Sequence, residues 1–159
     1  MRRLIYICLL VSAGLLYQGC HKETDEDKVK KVITSIQQAA EDKKIMIILE
    51  HLSRTYHDPQ GYDYEGIKGL LAFYFYRHQK VRVYIPSLEV AVNGPSSTAT
   101  FEAVLTGAEP GTSGGTLLPG TLGVYRFEVS LRKDQETWKA TSAKWERIGD
   151  QPGVVPDKK

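Results

Sequence analysis

Three titratable side chains stand in a row at Tyr56-His57-Asp58, directly before Pro59-Gln60-Gly61. A phenol, an imidazole and a carboxylate are the groups that general acid–base catalysis uses, provided a pocket turns them inward. A plainer role competes at each position. Asp58 ahead of Pro59 and Gly61 has the form of a turn cap, because Pro fixes φ and Gly accepts the positive φ of a turn exit. His57 at a helix end suits a dipole partner or a surface position. The plainer roles are favoured, and Asp58, His57 and Tyr56 stand as candidate catalytic residues only. His21, His51, His57 and His78 do not fall at metal-ligand spacings, and adjacent His57 and Asp58 point apart. No metal and no cofactor are expected.

Aromatic residues are the second candidate set. Phe73-Tyr74-Phe75-Tyr76 are consecutive and cannot share one helix face. Tyr74 and Phe75 continue an apolar stripe, which leaves Phe73 and Tyr76 for a second surface: the sheet, a pocket wall or a dimer partner. Tyr84, Phe101, Tyr125, Phe127, Trp138 and Trp145 fall on predicted strands. There they either fill a core, the default, or line a site for a small apolar ligand. Tyr56, Tyr74, Phe101, Phe127 and Trp145 are the candidate ligand-binding residues.

The elements that would position these groups can be read from periodicity. Thr24 and Asp27 form a capping box ahead of Val29, Val32, Ile33, Ile36 and Ala40, which recur at helical spacing. After an interruption at 41–44, Ile45, Ile48, Leu49, Leu52 and Tyr56 predict a second helix running to about Tyr56. Ile67, Leu70, Leu71, Tyr74 and Phe75 predict a third, ending near His78. The period then changes to two. Strands are expected at 81–85, 88–92, 98–105, 124–131 and 137–145, with Asn93-Gly94 as a hairpin turn and another turn at 133–136. Residues 106–122 read as a glycine-rich loop without the Gly-Lys-Ser/Thr ending of a phosphate loop. Helices first and strands afterwards predict an α+β domain on a strongly curved antiparallel sheet.

The chain opens with Arg2-Arg3, an apolar run over 4–16, and Leu16-Tyr17-Gln18-Gly19-Cys20. That run has the length of an export signal's apolar region and is too short for a membrane helix. The small residue before Cys20 resembles the lipobox of bacterial lipoproteins, although Tyr17 stands where an aliphatic residue is usual. The resemblance implies cleavage before Cys20 and a palmitate-type lipid on its thiol. Cysteine usage agrees, since Cys8 would leave with the signal and Cys20 would have no partner. The expected organisation is a signal peptide over 1–19, a tether over 20–27, one domain over 28–148 and a disordered tail over 149–159. The expected location is the bacterial cell envelope, with the exported domain held to a membrane. The full chain carries 21 basic against 19 acidic residues, and loss of Arg2 and Arg3 leaves the domain neutral. Nucleic acid, which demands a basic face, is not an expected partner.

The succession from Lys28 to Ile148 resembles the NTF2-like superfamily, also called SnoaL-like or cystatin-like. The marks are Leu52-Ser53-Arg54-Thr55-Tyr56-His57-Asp58, then Gly61, Ile67, Leu70 and Leu71, and finally Trp138-Lys139-Ala140 with Ala143 and Trp145. The resemblance implies helices wrapped by a bent sheet into a cone whose open end holds a small apolar ligand. In the ketosteroid isomerase branch an Asp within Asp-Pro-x-Gly is the general base, and Asp58-Pro59-Gln60-Gly61 matches that setting. The branch also places an oxyanion-binding Tyr on the first helix, where this chain has none. Three readings follow: a non-catalytic domain binding an apolar ligand or a partner protein, an isomerase or dehydratase using Asp58, and a structural component that dimerises through its sheet.

Overall fold

A computed structural model of the protein describes residues 23–108 and 123–149. Helix α1 spans Asp25–Glu41 and starts with a complete capping box. The Asp27 N–H donates to Thr24 Oγ1 at 3.1 Å, and the Thr24 N–H donates to Asp27 Oδ2 at 3.1 Å. Three acids in its first turn suit the positive end of the helix dipole. The helix thus begins inside the segment expected to be a tether. Asp25 fastens this end to the sheet, accepting from Lys133 Nζ at 2.9 Å and Trp138 Nε1 at 3.3 Å.

Helix α2 covers only Ile45–Glu50, which corrects the expected run to Tyr56. Beyond it the backbone leaves the helix to pair with the last strand. The Ser53 N–H donates to the Ala140 carbonyl at 2.8 Å, the Ala140 N–H to that of His51 at 2.9 Å, and the His57 N–H to that of Thr141 at 3.1 Å. Leu52 and Tyr56 are buried at helical spacing all the same. Helix α3 spans Tyr64–Arg77, with Asp63 Oδ1 accepting from the Gly66 N–H at its start and His78 at its end.

Five strands follow: β1 Lys80–Tyr84, β2 Leu88–Asn93, β3 Ser96–Ala108, β4 Gly123–Asp134 and β5 Thr137–Gly149. All pairings are antiparallel. One edge of β3 takes both β2, opposite 96–101, and β1, opposite 104–108, while its other edge pairs β4, and β4 pairs β5. Register shifts at Val124/Tyr125 and Ser130/Leu131 bend the β4–β5 ribbon. The β2–β3 turn is Gly94-Pro95, one residue later than expected from Asn93-Gly94. Gly94 at φ +55° supplies the positive φ of a first central position, and Pro95 suits the second, the pattern of a type II′ turn. At the free edge of β1, Gln37 Nε2 donates to the Val83 carbonyl at 2.7 Å and Glu41 Oε1 accepts from the Val83 N–H at 2.8 Å. Helix α1 thereby covers an otherwise open ladder.

Alternation sends Ala99, Val129, Leu131, Trp138 and Ala140 to one face of the sheet, where Val29, Val32 and Ile33 of α1 pack on them. A second cluster joins Ala39, Ile48, Leu49, Leu52, Tyr56 and Tyr64. On the opposite face Arg126 bridges Glu102 at 2.9 Å and Glu146 at 3.3 Å across three strands, beside the apolar row of Tyr84, Val104 and Val124. Strand β3 runs three residues beyond its expected end at 105. Cys20, the expected signal, residues 109–122 of the expected loop and residues 150–159 of the expected tail lie outside the described residues. Among those described, no helix is long and apolar enough to cross a membrane.

Candidate functional site

The turn after α2 draws Asp58 inward rather than presenting it. The Asp58 N–H donates to the Tyr62 carbonyl at 3.0 Å, the Gly61 N–H donates back to the Asp58 carbonyl at 3.1 Å, and Gly61 takes φ +91°. Asp58 is left only 2% exposed. Both oxygens of its carboxylate are engaged: Oδ1 accepts the Tyr62 N–H at 2.9 Å, and Oδ2 accepts the Tyr56 hydroxyl at 3.1 Å. Burial first, and the Asp58 charge second, push the Tyr56 hydroxyl well above its ordinary range. Tyr56 is therefore a neutral donor at physiological pH. His57, between them in sequence, is exposed and joins Asp63 through a backbone bridge. The three expected neighbours thus part into a buried pair and a surface residue.

The aromatic candidates divide differently. Strand register sets Phe101 opposite Phe127, and Phe127 opposite Trp145, on the face that also carries the core. The two phenyl rings stack at 5.2 Å with 13° between planes. Burial falls along β4 from Leu131 at 1% exposure through Val129 at 7% to half-buried Phe127 and Tyr125. The row is the looser end of the inward face. Tyr74 does not join it: at 40% exposure it stacks on His78 on the surface of α3, which corrects its expected place in the core stripe. Helix α3 is apolar on more than one side over 70–76, and it packs buried Tyr64 and half-buried Ile67, Leu71 and Phe75 against its neighbours.

Two site residues escaped the sequence reading. Tyr62 stacks on Trp145 at 6.0 Å, and Gln60 Nε2 donates to the Trp145 carbonyl at 3.0 Å. Both belong to the turn that Asp58 caps, so that turn forms one wall beside the row. Their only sequence signal is their place within and just after Asp58-Pro59-Gln60-Gly61. Among the described residues no group of three His, Cys, Asp or Glu is placed to hold a metal ion.

With helices packed on a bent, open five-stranded antiparallel sheet, the architecture can be compared with known structures. An NTF2-like superfamily protein from Salmonella enterica serovar Typhimurium superposes with a TM-score of 0.64 at 12% identity, over 84% of this chain and 96% of that one. The fold is NTF2-like. An NTF2-like protein from Cytophaga hutchinsonii aligns over 79% of this chain and 99% of its own, with a TM-score of 0.62 at 11% identity. Bd1075 of Bdellovibrio bacteriovorus aligns with a TM-score of 0.63 at 11% identity, covering 77% of this chain but only 40% of that protein's length. No protein-family model and no curated protein matches the chain. An NTF2-like arrangement accounts for the bent ribbon and the helices on its inner face, and fold alone assigns no chemistry.

Proposed function

We propose that this chain is a bacterial envelope lipoprotein, anchored through Cys20, whose NTF2-like domain takes up a small apolar ligand without catalysis. The observation that carries the reading is a contrast on one face. Asp58, the candidate base, is closed off with both oxygens engaged by Tyr56 and Tyr62, while Phe101, Phe127 and Trp145 remain half-open. A general base needs a lone pair within reach of a substrate proton. An apolar site needs only ring faces to desolvate and a few placed polar groups. The isomerase or dehydratase alternative would first have to open Asp58, which is 2% exposed, to a substrate. The anchor itself rests on the lipobox resemblance and on Cys20 being the sole cysteine left after residue 19.

Tryptophan emission tests the binding claim. Trp138 is buried at 2% exposure, whereas Trp145 is half-buried against Tyr62. Titrating residues 21–159 with an apolar naphthalene probe should perturb Trp145 emission, seen in Trp138→Phe and lost in Trp145→Phe. Phe127→Ala should weaken binding at least about tenfold, in line with losing an aromatic face. Saturable binding that ignores Phe127→Ala, or no binding at all, would defeat the proposal.

A further inference from the structure

Beyond the ligand site, helix α3 carries a surface that none of the described residues covers. Its outward stripe includes Glu65, Gly69, Ala72, Phe73, Tyr76 and Arg77, all exposed and spaced at three and four residues. Such a stripe is ordinarily polar. Here Phe73 is 54% and Tyr76 is 90% exposed. One turn before Phe73, a Cβ placed on Gly69 would meet nothing within 4 Å, so the aromatic ridge stands next to an open notch. The charges are also separated, with Glu65 in the first turn and Arg77 in the last.

We propose that two copies of this chain associate through α3, laid antiparallel about a two-fold axis near Leu71. Residues equidistant from that position then face each other. Phe73 enters the notch at the partner's Gly69, Glu65 meets the partner's Arg77, and symmetry makes each contact twice. Size and charge complementarity therefore arise from one register. Neither charge has a buried partner to lose: Glu65 pairs with exposed Lys68 at 3.2 Å, and Arg77 lies 5.4 Å from the Phe73 ring centroid. A 14-residue helix is about 21 Å long, so the contact is smaller than a standard interface and the dimer weak.

Sedimentation velocity on residues 21–159, which retain every described element, should show a monomer–dimer equilibrium between about 10 µM and about 1 mM. Glu65→Arg and Arg77→Glu should each weaken association by roughly three- to tenfold, and the two together should restore most of it. Gly69→Leu fills the notch and should weaken association about tenfold or more while melting no lower than the parent, because Gly is a poor helix residue. Ala72→Cys, the sole cysteine of that chain, should crosslink copies under mild oxidation. A monomer throughout the range would overturn the proposal. So would a dimer indifferent to both the notch and the charge reversals, or binding of this face to anionic vesicles without self-association.

Discussion

Replacing Tyr56 by Phe removes one oxygen from the buried pair at the centre of the site. The ring stays, so the packing around Leu49, Leu52 and Tyr64 is kept. One bond is lost, the hydroxyl's donation to Asp58 Oδ2 at 3.1 Å. A hydrogen bond to a charged group is worth about 1.5–3 kcal/mol, less what is recovered by no longer burying a hydroxyl. The expected loss is about 1–2 kcal/mol, a large share of the roughly 5–15 kcal/mol that stabilises a domain. Urea unfolding of residues 21–159 would show it as a lower midpoint at unchanged slope. The same variant carries a pH signature. Tyr56 is held neutral in the folded chain above its usual value near 10, whereas the unfolded chain ionises there. Above pH 10 the folded state therefore binds more protons, and stability present below pH 10 is lost as pH rises. Tyr56→Phe should lack this part of the alkaline decline. A stability loss under about 0.5 kcal/mol, with the alkaline limb unchanged, would refute the pairing.

Three further outcomes follow from other contacts. Burial, then the Lys139 charge, holds the His51 imidazole below its usual 6.5, so the unfolded chain gains the proton first and stability should fall as pH drops below about 6.5. His51→Gln, which keeps a partner for Ser35 Oγ at 2.7 Å, should flatten that limb in acid-titrated melts. Thr24→Ala removes the side-chain cap of α1 and should cost about 1 kcal/mol by urea unfolding, with no effect on probe binding at the aromatic row. Cys20→Ser should release the protein from membranes on fractionation, and unchanged retention would sink the anchor.

Periodicity alone makes most of the fold legible in the sequence. The α1 stripe and its capping box, the end of α3 and the β4–β5 hairpin all follow from local pattern. The second helix was over-extended because Leu52 and Tyr56 keep helical spacing while their backbone neighbours Ser53 and His57 bond to β5, a competition that only tertiary structure decides. Tyr74 was misplaced because a helix apolar on several sides does not reveal which side has room. At the site, alternation could put Phe101 and Phe127 on inward faces, but their stacking depends on register. The turn role of Asp58 was readable from Pro59 and Gly61. Its closure by Tyr56 was not, because residues two apart in a strand or helix do not normally meet, and here an irregular turn brings them together.

Native mass spectrometry of residues 21–159, produced in the native host and purified from its extract, tests the central claim most directly. A non-covalent adduct of small-molecule mass, lost on denaturation and absent from Phe127→Ala, is the expected result. A clean apo mass in the parent chain under the same gentle conditions would contradict a ligand site on Phe101, Phe127 and Trp145.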